Sequence, residues 1–392
     1  MSGHAYLAAS ASHRWLNCPP SAALAATFPN ESSVYADEGS LAHKIAYLKL
    51  DLALLHAGSR TYDHDMGECI SNSLYSGEMG EYVDQYVTAI IERYNELRTD
   101  CKDTLILLEQ RLDFSEWVPD GFGTGDVVFI ADELIEVIDL KYGKGVPVSA
   151  VDNPQTRLYG LGAIAGFGML YDIQQVQMTI YQPRLDSVSH ETMPVDELVK
   201  WGDEYVRPIA ALAREGQGEY HAGEHCRFCP AKATCWARAE KNMELAAFDF
   251  NRPPLLSHDE IPCILDQLDE FLKWAHDVQT YALIQAELHG VKWPGWKLVR
   301  GRSNRTYADK EAVYDKLIDA GYKKEKITET ELLGITLMEK ALGKKKMQNL
   351  IGDLIIKPPG KPCLVPESDP RPEIGTEEAK VEFEPLKEEN PE

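Results

Sequence analysis

Three consecutive apolar segments between residues 105 and 140 predict β-strands, and they limit more than any other feature what this chain can fold into. They cover residues 105–112, 126–130 and 133–140, and Ala131-Asp132 predicts a hairpin turn between the last two. Helical patterns lie on both sides, at 36–56 (with Gly39-Ser40 expected as its cap), 80–97, 154–170 and 196–214, with one more strand at 176–181. Helices that alternate with strands predict an α/β fold.

Length and charge restrict the domain organisation and the class of partner. With 392 residues, the chain is long enough for two domains. We expect a first domain at 1–250, a helical and locally basic domain at 251–360, and a disordered acidic tail at 361–392. The formal charge of −23 argues against a surface that binds nucleic acid everywhere. It permits a local basic groove, because phosphate binding depends on the local patch.

No segment of the sequence predicts a membrane span or a signal peptide. There is no apolar run of about 18 residues, and residues 1–20 lack a basic region followed by an apolar core. We therefore expect a cytoplasmic protein whose cysteines are reduced.

Asp139 and Lys141 are the first candidate functional residues. They lie two positions apart on a predicted strand, so their side chains share one face, whereas Glu136 has the opposite parity and is expected to face away. The predicted hairpin brings Asp126 next to Asp139, and two close carboxylates can share a divalent cation such as Mg²⁺. Lys141 could then orient the attacking water. The alternative is a surface ion pair on an edge strand.

These residues belong to a longer pattern that resembles the RecB-type branch of the PD-(D/E)xK nucleases. The pattern consists of Gly39-x3-His43, Gly125-Asp126, Asp139-x-Lys141 and Gln155-x3-Tyr159. The resemblance implies a restriction-endonuclease-like fold, in which a mixed central sheet is flanked by helices, with a mainly helical C-terminal extension.

The resemblance also implies a role for each of these side chains. The implied ligands of Mg²⁺ or Mn²⁺ are His43, Asp126 and Asp139. Lys141 would be the catalytic lysine. Gln155 and Tyr159, which lie one helical turn apart, would support the site or contact DNA.

Three of the eight cysteines are clustered as Cys226-x2-Cys229-x5-Cys235. In a reducing compartment such clustering indicates a metal site rather than disulfides. The fourth ligand could be His221 or His225 in a zinc site, or the distant Cys18. Unligated cysteines in a loop are the remaining alternative.

The segment that ends in Cys18-Pro19, together with the three clustered cysteines, resembles the AddB nuclease domain and the CRISPR-associated RecB-like exonucleases. In those families, four cysteines hold a [4Fe–4S] cluster that joins the two ends of the domain. The resemblance implies the same cluster here, with Cys18, Cys226, Cys229 and Cys235 as ligands and zinc as the alternative metal.

The C-terminal region contains a basic segment with two interleaved tryptophans, Trp293 and Trp296. Its bases are Lys292, Lys297, Arg300, Arg302 and Arg305. Such a segment suits single-stranded DNA, through phosphate contacts and base stacking. Alternatively, the tryptophans anchor a small core. The region also resembles the C-terminal extension of an uncharacterised phage and prophage family of RecB-like proteins.

Together these patterns predict a metal-dependent deoxyribonuclease that hydrolyses phosphodiester bonds with a metal-activated water. An exonuclease acting on DNA ends in phage recombination or repair, beside a single-strand annealing protein, is the setting that the resemblance implies. A non-catalytic DNA-binding module with a zinc-bound cysteine site is the alternative from a different functional class.

Overall fold

The computed structural model of the protein describes residues 5–29, 34–55, 61–143, 145, 147–169, 171–246, 260–301, 306–328, 334–356, 360–366 and 371–375. The chain divides into two compact units, Met1–Leu255 and Leu256–Glu392. No helix in the described part of the chain is both long enough and apolar enough to cross a bilayer.

Unit 1 consists of nine α-helices and five strands in the residues described. The helices are α1 Ser12–Asn17, α2 Ser21–Ala25, α3 Val34–Leu50, α4 Tyr62–Ile70, α5 Gly77–Asp100, α6 Pro154–Phe167, α7 Val195–Trp201, α8 Arg207–Glu215 and α9 Trp236–Ala246. The strands are β1 Leu105–Asp113, β2 Phe122–Ala131, β3 Leu134–Leu140, β4 Gln175–Gln182 and β5 Ser187–Pro194. Short π-helical turns follow α3 at Asp51–Leu55 and join α7 to α8 at Gly202–Val206.

The five strands form one mixed sheet in the order β1-β2-β3-β4-β5. β3 and β4 are parallel and are joined through α6, whereas the other neighbours are antiparallel. The C-terminal ends of β3 and β4 therefore lie at the same edge of the sheet, where β2 begins.

Side-chain alternation divides the sheet into two buried faces. Ile138 and Leu140 pack with α3 and α5, as strand parity predicts. Val137 and its neighbours on β2 and β4 pack beneath α6 and α7 on the other face. Two glycines permit α6 to lie close to that face, because a Cβ at Gly160 would meet Val176 at 3.1 Å and one at Gly162 would meet Leu112 at 3.0 Å.

Unit 2 is mainly helical. Its helices are α10 Glu260–His289, α11 Lys310–Asp319, α12 Lys324–Ile327, α13 Ile335–Leu342 and α14 Lys344–Ile351, and its strands are β6 Trp296–Gly301, β7 Thr306–Tyr307, β8 Ile355–Ile356 and β9 Gly360–Pro366. β6 pairs with β9, and β7 pairs with β8.

The mixed α/β architecture and the helical C-terminal region agree with the sequence-based expectation, but three details differ. The cap predicted at Gly39-Ser40 is wrong, because α3 begins at Val34 and both residues lie inside it. β5 was not predicted. Its residues alternate between partly buried and exposed positions at the sheet edge, so they carry little apolar signal. Residues 361–366 of the predicted tail lie in β9, and residues 376–392 are outside the described residues.

Candidate metal centre and cysteine cavity

Three potential metal ligands converge at the sheet edge where β2 begins. They are His43 from α3, Glu109 from β1 and Asp126 from β2, and one ligand atom of each lies within 4.8 Å of the others. His43 Nδ1 is 3.0 Å from Asp126 Oδ1, and the other Asp126 oxygen accepts a hydrogen bond of 2.7 Å from the backbone N–H of Leu140. These contacts fix the Asp126 carboxylate between α3 and the end of β3.

Glu109 was missed in the sequence. Leu108 pairs with Val127 and Gln110 pairs with Gly125, so Glu109 faces Asp126 across the two strands. Its φ is +48°, in the left-handed region that non-glycine residues rarely adopt. The signal in the sequence was an acidic residue directly after the apolar run 105–108, at the register position opposite Asp126.

The carboxylates at this site shift the titration of their neighbours. Burial alone would lower the pKa of His43, but the carboxylates of Asp126, Asp139 and Glu109 outweigh it and raise the pKa to about 9. Although Glu109 is exposed as a whole residue, loss of water around its carboxylate and repulsion from Asp126 raise its pKa to about 7. The metal-free site therefore has closely spaced acids that a proton on His43 partly compensates.

A second group of side chains surrounds Asp139. Asp139 is 4% exposed, and Lys141 Nζ lies 2.8 Å from its Oδ2. Gln155, in the first turn of α6, accepts a hydrogen bond of 3.0 Å from Lys141 and donates to Asp139 Oδ1 and to the Tyr159 hydroxyl, at 3.1 and 3.2 Å. The structure thus brings these four sequence-predicted residues into one hydrogen-bonded network.

Asp139 lies beside the close ligand group rather than in it. In the described residues, Glu109 occupies the third position with His43 and Asp126. Burial and repulsion from Asp126 raise the pKa of Asp139, although Lys141 opposes the shift. Its Oδ2 is buried, and its partner is the Lys141 ammonium group.

The donor set fits a hard divalent cation. Carboxylate oxygens are preferred by Mg²⁺, and Mn²⁺ accepts both carboxylates and an imidazole nitrogen. His43, Glu109 and Asp126 line a cavity of about 10 Å³, which has room for about one water molecule. A cation at this place would displace the proton on His43, because a metal ligand must be deprotonated.

Glu136 takes no part in this site, as strand parity predicts. Its carboxylate accepts hydrogen bonds from Arg93, Gln177 and Thr179, at 2.8, 2.9 and 2.9 Å. Its side chain is 2% exposed, so these partners supply the compensation that a buried charge needs.

Gly123 positions Tyr159. A Cβ at Gly123 would overlap the Tyr159 ring, so only glycine lets the ring lie against β2. Burial of that ring and the nearby Asp139 raise the pKa of Tyr159, which keeps its hydroxyl protonated and able to donate.

The four cysteines singled out in the sequence line one cavity. Cys18 follows α1, Cys226 and Cys229 lie in and just after the short helical turn Glu224–Phe228, and Cys235 precedes α9. The cavity also includes His221, His225, Arg14 and Lys232. None of the four forms a disulfide, and the backbone N–H of Gly223 donates to Cys226 Sγ at 3.4 Å.

The sulfur atoms are not compactly clustered. Among the described residues, no three cysteine sulfurs lie within 4.8 Å of one another, whereas a tetrahedral zinc site with bonds of about 2.3 Å needs sulfurs about 3.8 Å apart. The cavity is about 10 Å³, far smaller than a four-iron cluster. Four thiols are a suitable donor set for zinc or for an iron–sulfur cluster. The sulfur atoms, however, are not at the distances that either metal group requires.

The basic segment of unit 2 contains one anchored and one exposed tryptophan. Trp293 donates a hydrogen bond of 2.9 Å to the Ala282 carbonyl and packs on a small apolar cluster. Trp296 is 49% exposed. Both tryptophans line a cavity of about 100 Å³ together with Lys292 and Lys297. Of the two, only Trp293 anchors a small core, which was the alternative to DNA binding. Arg302 and Arg305 lie outside the described residues.

Comparison with known proteins identifies the family but no activity. A family described as "Protein of unknown function (DUF2800)" matches residues 4–372, so the chain belongs to that family. A solved structure titled "Crystal structure of SSO0001" is 11% identical and covers 58% of this chain and 96% of its own, with a TM-score of 0.20. That similarity is too low to carry an argument about fold or function.

Proposed function

We propose that this member of the DUF2800 family is a Mg²⁺- or Mn²⁺-dependent deoxyribonuclease. The observation that carries the proposal is the convergence of His43, Glu109 and Asp126 beside the ion pair of the buried Asp139 with Lys141. Separate elements place these side chains at one edge of the sheet. A purely structural ion pair would need only Asp139 and Lys141. We also infer that the sheet is the core of a restriction-endonuclease-like fold of the RecB type.

The side chains divide into ligands and groups that orient them. His43, Glu109 and Asp126 would hold the ion, with Asp139 next to them. When bound, the ion would activate a water molecule and stabilise negative charge on the phosphate. The backbone N–H of Leu140 holds Asp126 in place through a 2.7 Å hydrogen bond.

Lys141 supplies positive charge for the phosphate or orients the attacking water. Asp139 and Gln155 fix its ammonium group at 2.8 and 3.0 Å, so the side chain needs little ordering when DNA binds. Fixing a catalytic group in advance reduces the entropic cost of reaction.

The test is digestion of end-labelled linear DNA with Mn²⁺ or Mg²⁺. The wild-type protein is compared with Asp126→Ala, Lys141→Ala and the matched control Asp132→Ala, an exposed acid in the turn of the same hairpin. We expect Asp126→Ala and Lys141→Ala to lose at least about 100-fold in rate, by analogy with the loss of one charge-stabilising donor, and Asp132→Ala to keep its activity. Cleavage by both site variants at the wild-type rate would refute the site.

Comparison of linear with closed circular DNA distinguishes an exonuclease, which we propose, from an endonuclease. Binding of DNA without cleavage under all metal conditions would favour the non-catalytic DNA-binding module. The setting in phage recombination or repair, with a single-strand annealing protein as partner, stays a prediction.

We further propose that Cys18, Cys226, Cys229 and Cys235 bind one metal group that joins the two ends of unit 1. Their lining of one cavity supports this proposal. The group that the resemblance implies is a [4Fe–4S] cluster, and zinc is the alternative. Elemental analysis and visible absorption of protein purified without oxygen distinguish iron from zinc. Absence of both metals, in protein that is folded, would contradict the proposal.

A further inference from the structure

The cavity of the candidate metal centre is lined by a fully buried polar group to which neither the sequence pattern nor the proposed chemistry assigns a role. This group is the hydroxyl of Tyr86, on α5, which lines the cavity together with His43, Glu109 and Asp126. Tyr86 is 1% exposed, and its hydroxyl has no hydrogen-bond partner. A buried hydroxyl without a partner costs about 1–3 kcal/mol, so its presence requires an explanation.

The ring of Tyr86 is firmly held by its surroundings. It packs in the apolar cluster formed by α3, α5 and the sheet, and its ring meets that of Tyr181 edge to face, with centroids 5.4 Å apart. The hydroxyl therefore cannot swing out to solvent without disrupting this packing. Phenylalanine would provide the same packing, so packing does not explain the hydroxyl.

A phenol hydroxyl can both donate and accept a hydrogen bond. The cavity has room for about one water molecule, and its wall offers the several polar partners that a buried water requires.

We propose that Tyr86 is a positioning residue of the metal centre, whose hydroxyl donates a hydrogen bond to a water molecule of the ion's hydration shell. This inference rests on the proposed function. Mg²⁺ and similar ions keep several waters when proteins bind them, and groups that orient such a shell contribute to affinity without touching the ion.

The test is Mn²⁺ binding to the full chain, measured by calorimetric titration without DNA. We expect Tyr86→Phe to weaken binding about 2- to 10-fold, which corresponds to the net value of one hydrogen bond. The matched control is Tyr94→Phe, on the same helix, where the ring stacks on Phe129 with centroids 6.0 Å apart. It should bind Mn²⁺ as the wild type does. Melting in EDTA should show Tyr86→Phe to be at least as stable as the wild type, because an unpaired buried polar group is removed.

The outcomes distinguish failure of the Tyr86 role from failure of the metal centre itself. If the wild type binds Mn²⁺ and Tyr86→Phe binds it equally well, the role of Tyr86 is refuted while the metal centre stands. If the wild type binds no Mn²⁺, both are refuted. A second test needs no variant: it measures whether Mn²⁺ broadens the NMR signals of tyrosine rings in the wild-type protein. If no tyrosine signal broadens at stoichiometric Mn²⁺, the inference is wrong.

Discussion

Replacing Glu109 by glycine is expected to stabilise the metal-free protein and at the same time to impair its metal binding. Glu109 has a φ of +48°, and the left-handed conformation costs an L-residue about 1–2 kcal/mol. Glycine removes that cost but loses about 0.5–1 kcal/mol through greater backbone freedom in the unfolded chain. Removal of a carboxylate that repels Asp126 acts in the stabilising direction as well.

The expected net gain is about 0.5–1 kcal/mol, which corresponds to a rise in melting temperature of about 1–4 °C for a unit of this size. The measurement is thermal unfolding of the full chain in EDTA. The matched control is Gln110→Gly at the next position of β1, where φ is not positive. There the same substitution should lower the stability by about 0.5–1 kcal/mol. Glycine substitutions at two neighbouring positions are thus expected to change the free energy of unfolding in opposite directions.

The same Glu109→Gly protein should bind Mn²⁺ at least about 10-fold more weakly, because one of three converging ligands is lost. If the melting temperature falls as far as that of Gln110→Gly, the argument from backbone strain is refuted. If Mn²⁺ affinity is unchanged, the assignment of Glu109 as a ligand is refuted instead.

Two further predictions concern the packing around Tyr159 and the exposed tryptophan. Gly123→Ala should destabilise the protein by about 1–3 kcal/mol through overpacking, since its Cβ would overlap the Tyr159 ring. Gly166→Ala in α6, with open space around it, should stabilise it by up to about 1 kcal/mol, and thermal unfolding measures both. Trp296→Ala should weaken binding of single-stranded DNA about 5- to 100-fold, the range for loss of one stacking partner. Leu265→Ala, at a 60% exposed position of the same unit, should leave the affinity for single-stranded DNA unchanged. Both affinities are measured by fluorescence anisotropy in EDTA.

Strand alternation and one turn were enough to predict the positions of Lys141, Glu136 and Asp126 relative to Asp139, whereas Gln155 and Tyr159 came from the family resemblance. The alternation placed Lys141 on the same face as Asp139, excluded Glu136, and let the hairpin bring Asp126 close, and the hydrogen bond from Leu140 to Asp126 agrees with that arrangement. These inferences needed only the two-residue period of a strand and one turn. The mixed α/β architecture followed from the order of the apolar patterns.

Glu109 and Tyr86 could not be found in the same way. Glu109 has a positive φ, which glutamate has no intrinsic tendency to adopt and which the apolar pattern of a strand does not indicate. Tyr86 lies on an amphipathic helix, where an aromatic residue indicates a core position, and Tyr86 does occupy one. Its importance depends on a hydroxyl that has no partner, which only the packed structure reveals. The predicted cap at Gly39 failed because glycine is permitted inside a helix when tertiary packing stabilises it.

The three candidate ligands lie at positions 43, 109 and 126, on one helix and two strands. An unfolded chain cannot hold them together, so an ion that binds there binds only the folded state. The expected stabilisation is about 2.7 kcal/mol at an ion concentration 100 times the dissociation constant. Supply of the ion in the cell would then set how long each molecule survives proteolysis and, under the proposed function, whether it cleaves DNA.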